Sequence, residues 1–218
     1  MFALKKRILI PALACVLLLS GCSAGDKGKA VPTDQAGAKA PPAAESDSGS
    51  NPGGAAAQVN DQQKALIGRV MGLARQGKVN NSEFAAETEV IDDVEKKWGK
   101  PDKTDYVPEA KGTFVSYTGR GVVIGFNKGA QIFDIRSYDG ELKKINLSGV
   151  RETLGPPAHT SRYNNQDILG YTAGEKFKIR FVFPQATADN PDPALDHVSV
   201  FYPRGTVNNM SEDPGLEW

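Results

Sequence analysis

Cysteine and histidine are scarce in this chain, which has two of each among its 218 residues. Both cysteines, Cys15 and Cys22, lie close to the amino terminus, so the rest of the chain contains no thiol. A domain without thiols forms no disulfide, has no cysteine nucleophile and cannot bind zinc through cysteine. Hydroxyl groups, carboxylates and the imidazoles of His159 and His197 are the side chains left for catalysis.

The chain also lacks an excess of charge of either sign, with 26 basic and 26 acidic side chains. Its lysines are interspersed with acidic residues, as in residues 95–97 and 141–144. Nucleic-acid-binding proteins usually carry a basic face or stripe. The sequence therefore argues against a nucleic-acid partner.

Long apolar runs are missing too, with one exception at residues 8–19. This segment follows Lys5, Lys6 and Arg7 and ends in Leu-Ser-Gly-Cys at residues 19–22. A basic region, an apolar region and a small-residue junction are typical of a secretory signal peptide. The segment is short against the roughly 20 residues that span a bilayer, which argues against the alternative of an uncleaved transmembrane anchor.

The Leu-Ser-Gly-Cys junction resembles that of bacterial lipoprotein precursors. The resemblance implies that residues 1–21 are a signal peptide, that cleavage falls between Gly21 and Cys22, and that Cys22 receives a diacylglyceryl group. Two or three acyl chains on one cysteine hold a protein durably on a membrane. We therefore expect membrane lipid as a partner through Cys22, and an extracytoplasmic location on the cell membrane.

After this junction the composition divides the chain into a tether, one domain and a tail. Residues 22–60 are rich in Ala, Gly, Pro and Ser and have few large apolar side chains. Such a segment cannot bury enough surface to offset its ordering entropy, so we predict a disordered tether. Residues 61–203 are predicted to form one domain, and residues 204–218 a C-terminal tail.

Hydrophobic periodicity predicts the elements of the domain. Helices are expected at residues 62–76, with Asp61 as N-cap, at residues 89–98, ending at Gly99, and after Ser148, which would cap a short helix. Alternating patterns predict strands at residues 114–117, 122–126, 131–138, 168–172, 176–183 and 197–202. In the strand at residues 176–183, phenylalanine and isoleucine alternate with Lys176, Lys178 and Arg180, which predicts a wet, charged sheet face.

The same order of elements occurs twice, because residues 94–101 align without a gap with residues 150–157. An internal repeat predicts an α+β fold in which two tandem helix-plus-antiparallel-sheet units form one domain. The units would cover about residues 61–140 and 141–203, with the helices packed on one sheet face. Trp98 and Leu154 occupy equivalent positions and are expected to anchor the helices.

Two such units resemble the architecture of the beta-lactamase-inhibitor protein and of small outer-membrane assembly lipoproteins. Five motifs in order are similar to those of the YjgB-type lipoproteins of Gram-positive bacteria: QGKV (76–79), WGKP (98–101), DIRSY (134–138), LGPP (154–157) and DHVSVFYP (196–203). This family is a domain of unknown function. The resemblance implies a fold and a compartment, and it brings no catalytic residue.

Residues with catalytic or metal-binding chemistry are few. His159 follows a Gly-Pro-Pro turn and is typical of a solvated loop. His197 follows Asp196 at a strand start, and because adjacent strand residues point to opposite faces, we expect no Asp–His couple. Asp189, Asp192 and Asp196 carry oxygen ligands of the kind that calcium prefers, but such residues are also typical of a rigid turn. We predict no metal site and keep calcium as the alternative. Neither a nucleophile elbow nor a dinucleotide-binding spacing occurs, so we predict no cofactor and no enzyme.

The strand tyrosines fit either a core or a binding surface, and tyrosine and arginine dominate binding hot spots. We therefore predict partner binding at Arg136, Tyr138, Lys178 and Arg180, on the wet sheet face. The predicted function is a non-catalytic binding module for an envelope protein or a wall component. The alternatives are a cell-wall-acting hydrolase, which would need a cluster of carboxylates, and a structural assembly factor.

Overall fold

The computed structural model describes residues 52–218, with side chains from residue 61 onward. The predicted signal peptide, Cys22 and most of the predicted tether lie outside the described residues. Between residues 52 and 218 the chain forms three α-helices and eight β-strands. Their bounds are α1 Pro52–Ala74, α2 Ile91–Trp98, β1 Lys103–Val107, β2 Gly112–Tyr117, β3 Val122–Phe126, β4 Ile132–Ser137, α3 Leu147–Leu154, β5 His159–Tyr163, β6 Gln166–Ala173, β7 Phe177–Pro184 and β8 His197–Phe201.

All eight strands of this part of the chain lie in one antiparallel sheet, in the order β1-β2-β3-β4-β8-β7-β6-β5. The last strand, β8, lies at the centre because it pairs with β4 on one side and with β7 on the other. The β4–β8 register places Asp134 opposite Phe201 and Ser137 opposite Val198. Strands β1 and β5 form the two edges.

The core lies on one face of this sheet, under the helices. A row of buried side chains crosses six adjacent strands on that face. In order from β2 to β6, its members are Val115, Ile124, Ile135, Val200, Ile179 and Tyr171. The helices cover the row with buried Ile67 from α1, Val94 from α2 and Val150 from α3. Burial of this apolar surface is the main force that holds helices and sheet together.

Two tyrosines tie the ends of α2 and α3 to the sheet. The Tyr117 hydroxyl donates to the carbonyl oxygen of Gly99 at 3.3 Å, and the Tyr171 hydroxyl donates to that of Gly155 at 2.9 Å. Each glycine follows its helix with a positive φ, +85° and +76°, which a glycine adopts without strain. Trp98 lies edge-on against Tyr117, with 5.1 Å between ring centroids.

The helix starts differ from those predicted. Helix α1 begins at Pro52, so Asp61 is not its N-cap and residues 52–60 are helical. The N-cap of α3 is Asn146, whose side-chain oxygen accepts from the Gly149 N–H at 3.0 Å. Ser148 lies inside α3, where the Asp192 carboxylate accepts both its N–H and its hydroxyl.

The predicted fold class is wrong. The structure is largely β, and the strands of the two expected α+β units belong to one sheet. The physical reason lies in β4 and β8, which carry buried side chains on both faces and hydrogen-bond to each other along their length. No boundary between tandem units exists where these two strands pair, since the sheet continues through them.

Both edge strands escaped the sequence analysis. Every residue of β1 except Val107 is exposed, and every residue of β5 after His159 is exposed. Such strands have no apolar alternation, and polar edges protect a sheet against pairing with another chain.

In the part of the chain that the structure describes, no helix has the length and hydropathy needed to cross a membrane.

Candidate functional site

The sheet surface away from the helices contains a cleft of about 730 Å³. We call this surface the open face. It is formed by every second residue of the strands, and its central side chains are those of Phe114, Asp134, Arg136, Arg180, His197 and Ser199. The residues that alternate with these along each strand point to the other face and belong to the core. The strand register that determines the core therefore also determines the open face.

The centre of the open face is set by three neighbouring positions in β4, β8 and β7. Arg136 pairs with Ser199, and Ser199 pairs with Arg180. Directly paired residues of adjacent antiparallel strands have their side chains about 5 Å apart on the same face. The two guanidinium groups therefore approach each other across the short Ser199 side chain.

The Asp134 carboxylate joins these groups. Its side chain lies on the same face as that of Arg136, two residues away, and Asp134 is only 1% exposed. It accepts hydrogen bonds from Arg136 Nε at 3.1 Å, from Ser199 Oγ at 3.0 Å and from Arg180 Nη1 at 3.5 Å. A buried charge is stable only when it is paired and hydrogen-bonded, as it is here.

Aromatic rings hold the other side of each guanidinium. Arg136 Cζ lies 4.6 Å from the Phe114 ring centroid, and Arg180 Cζ lies 4.4 Å from that of Phe201. Gly125 makes room for Phe114, because a Cβ there would approach its ring to 2.6 Å. Each arginine is thus held between an aromatic face and the carboxylate, with little freedom left to lose when a ligand binds.

The electrostatics of this group leave positive charge facing the cleft. Burial by itself would lower the pKa of Arg136, but the charge and hydrogen bond of Asp134 outweigh burial and raise it. Burial lowers the pKa of Arg180, against the attraction of Asp134, and the charge of Arg136 adds to the lowering. Arginine stays protonated in proteins, so two cations share one carboxylate. This arrangement suits a ligand with an anionic group.

Tyr138 borders the arginines and stacks on His197, with ring centroids 4.5 Å apart. His197 Nδ1 lies 2.8 Å from Asp196 Oδ2, so the expectation that these neighbours do not couple is wrong. The reason is that β8 begins at His197, and Asp196 lies before the alternating pattern of the strand starts. Burial lowers the pKa of His197 despite the contact with Asp196, and burial raises the pKa of Tyr138.

Lys178, the fourth predicted binding residue, lies on the open face but under the C-terminal segment. Its ammonium group is 4.1 Å from the Trp218 ring centroid. Leu216 and Trp218 line the cleft, although their segment was expected to be a tail. Sequence analysis missed this contact because residues 204–218 carry no periodic pattern. Asp134 and Ser199 were missed as well, although both share the period-two spacing of their neighbours Arg136 and His197.

The acidic residues proposed as a calcium alternative do not converge. Asp192 binds the start of α3 through Ser148 and Asn146, and Asp196 contacts Lys143 and His197. Asp189 is exposed in the loop before them. Among residues 61–218, no three histidine or acidic side chains are arranged to hold a metal ion.

Comparison with known proteins identifies the family. The family described as "Domain of unknown function (DUF4309)" matches residues 67–201. A solved structure of a DUF4309 family protein, YjgB from Bacillus subtilis, aligns with a TM-score of 0.51 and 18% identity, and covers 65% of this chain and 99% of that chain. At this identity the likeness concerns the fold alone. A search of the curated proteins gave no match. The resemblance to YjgB-type proteins that the five motifs indicated is confirmed.

Proposed function

Because the chain belongs to the family described as a domain of unknown function, DUF4309, we propose its function from the open face: it is a non-catalytic binding module for an envelope protein or a wall component. One observation carries the proposal. Arg136 and Arg180 are fixed around the single buried carboxylate of Asp134, and both line the cleft.

The polar side chains of the open face already contact one another in the free protein, and this pre-organisation supports a role in binding. The Asp134 carboxylate accepts three hydrogen bonds and therefore serves to position the arginines. His197 is held between Asp196 and Tyr138. Groups that are fixed before a ligand arrives lower the entropic cost of binding, so this surface is suited to recognition. Tyr138, 39% exposed, is an accessible aromatic side chain next to Arg136 on this surface.

The proposed location is the outer side of the cell membrane, where a lipidated Cys22 anchors the chain. The basis is the sequence alone, namely the signal-like residues 1–21 and the junction before Cys22. Cys22→Ala should abolish incorporation of a palmitate-type probe fed to growing cells, because the mutant lacks the thiol that accepts lipid. Labelling that persists in the mutant would disprove the anchor.

Binding is best tested at Tyr138, since substitution there leaves the buried charges intact. Reversing the charge of Arg180 is less suitable, because a second carboxylate would then face Asp134. The chain without residues 1–21 is immobilised and exposed to membrane and wall extract of the source organism. Tyr138→Ala should weaken capture of the bound component about 30-fold, as expected for a hot-spot tyrosine.

Tyr106→Ala is the matched control. Tyr106 is a strand tyrosine with 62% exposure that does not line the cleft. It should capture the same component as the unmodified chain. Equal capture by both variants would remove the open face from consideration, and circular dichroism checks that both are folded.

A further inference from the structure

The last residues of the chain are directed back to the open face by specific contacts. Asp213 forms an ion pair with Lys111 and accepts the Gly215 N–H at 3.0 Å. Gly215 has a φ of +83°, which turns the chain, and the Leu216 N–H then donates to Thr206 Oγ1 at 2.8 Å. Contacts with Lys111 and Thr206, which both lie outside the strands, therefore fix the path of residues 213–216 toward the open face.

Its final side chain lies in a fitted socket. The Trp218 ring rests on Gly170, where a Cβ would approach ring carbon Cζ3 to 2.6 Å. It stacks on His159 with 5.2 Å between centroids and 9° between planes, and Lys178 Nζ lies 4.1 Å from the indole centroid. The absence of a side chain at Gly170 is what lets an aromatic ring reach the sheet here.

The socket adjoins the arginines through the strand register. Gly170 pairs with Arg180 on one side and with His159 on the other. Lys178 also lies 3.5 Å from the Glu217 carboxylate, whose side chain is 85% exposed. The socket thus offers a flat floor, one stacking ring and one cation, and the cation contacts both an indole and a carboxylate.

We propose that His159, Gly170 and Lys178 form an aromatic subsite of the cleft, which binds an indole side chain next to a carboxylate, and that Glu217 and Trp218 occupy it in the free protein. The inference rests on the proposed function, because the subsite belongs to the same cleft. The matching partner is a polypeptide segment with a tryptophan beside an acidic residue. Such a segment must displace residues 213–218 to bind.

Displacement is feasible because the Glu217 end of the covering contact is exposed. The Glu217 side chain is 85% exposed and lies 3.5 Å from Lys178, and an ion pair with an exposed carboxylate contributes little. A segment tethered by a short flexible linker competes at an effective concentration on the order of millimolar. A free peptide therefore binds the subsite weakly in the unmodified chain, and well only when Trp218 is removed.

The test uses a fluorescein-labelled peptide with the sequence of residues 213–218, Asp-Pro-Gly-Leu-Glu-Trp. Fluorescence anisotropy measures its binding to the chain without residues 1–21, unmodified or carrying Trp218→Ala. The variant should bind the peptide at least about tenfold more tightly, since its subsite is empty. A peptide with serine in place of tryptophan should not bind either chain.

Two further variants in the Trp218→Ala background locate the binding. Gly170→Ala should abolish it, because the new methyl group occupies the floor of the socket. Gly140→Ala is the matched control, because a Cβ there meets no atom within 4 Å, and it should leave binding unchanged. Equal affinity of Trp218→Ala and the unmodified chain, or binding that survives Gly170→Ala, would overturn the subsite.

Sedimentation of the unmodified chain tests whether a second copy of the chain, and not the chain's own segment, supplies the tryptophan. A concentration-dependent dimer that Trp218→Ala abolishes would mean that a second copy supplies the tryptophan, which overturns occupation by the chain's own segment. These outcomes are independent of capture from envelope extract. Failure of the peptide to bind removes the subsite only, whereas equal capture by Tyr138→Ala and Tyr106→Ala removes the open face as the surface of the proposed function.

Discussion

The two faces of the sheet bury their residues by different means, and β4 shows the contrast within two adjacent positions. Ile135 is fully buried against the helices, and Asp134 is equally buried on the open face. Ile135 is held by apolar packing, which depends on volume and has no direction. Asp134 is held by three donors at fixed positions, which depend on charge and geometry. Burial alone therefore does not identify the core of this protein.

The sheet face under the helices, here called the covered face, should lose most stability when a side chain loses volume. Phe181 is buried among core residues and lies edge-on to Tyr171, with centroids 5.9 Å apart. Phe181→Ala leaves a cavity and should lower the free energy of unfolding by about 3–5 kcal/mol. Urea unfolding followed by circular dichroism measures the change. A loss below about 1 kcal/mol would mean that the core rearranges to fill the space.

The open face should respond to loss of charge without loss of volume. Asp134→Asn keeps the shape but removes the charge that Arg136 and Arg180 share. Loss of hydrogen bonds to a charged group should cost about 1.5–3 kcal/mol in the same unfolding assay.

Asp105→Asn is the control for that substitution. Asp105 lies on edge strand β1, and its carboxylate forms an exposed ion pair with Lys103. An exposed pair contributes about 0–1 kcal/mol. If the two substitutions cost the same, the carboxylate of Asp134 has no special part in holding the arginines.

The covered face also contains a directed contact, which a smaller change can isolate. Tyr171→Phe removes the hydroxyl that donates to the Gly155 carbonyl oxygen but retains the ring in the core. The expected loss is about 0.5–1.5 kcal/mol, the usual net value of a hydrogen bond. Tyr117→Phe, which loses the longer bond to Gly99, should cost less. The reverse order would mean that bond length does not rank these contacts.

The smallest expected effect is a change in stability with pH that arises from protonation of His197 on the open face. Burial lowers the pKa of His197, so the folded state takes up a proton less readily than the unfolded chain, whose histidine titrates near pH 6.5. The free energy of unfolding should therefore be highest above about pH 6.5 and fall as the pH decreases below it.

His197→Gln should flatten this decrease in stability below about pH 6.5, because the variant has no imidazole to protonate at that position. His159→Gln, which replaces the other histidine of the chain, should retain the slope. If both variants keep it, another group is responsible.

Local patterns predicted the strands that have one apolar face. The segments predicted for β3 and β7 agree with the structure to within a residue, because their alternation reflects real burial. The order of strands was not predictable, since pairing of β4 with β8 depends on distant parts of the chain. The two-unit α+β model failed at that pairing.

The candidate site was predictable where alternation places side chains on one face. Arg136, Tyr138, Lys178 and Arg180 do lie on the open face, but whether they bind a partner stays a prediction. The expected wet character did not follow from alternation: Arg180 is only 19% exposed because Asp134 and Phe201 enclose it. No local sequence pattern could predict the position of Trp218, because the residues that it contacts are far away in the sequence.

The central position of β8 has a consequence for how the chain reaches its native state. Strands β4 and β7 can pair with β3 and β6 through local hairpins, but each keeps an unsatisfied edge until residues 197–201 arrive. Contacts between distant segments slow folding, and open strand edges invite association with other chains. A chain that is interrupted before His197 therefore exposes two unpaired strand edges at once, so correct assembly of the sheet requires the chain through at least residue 201.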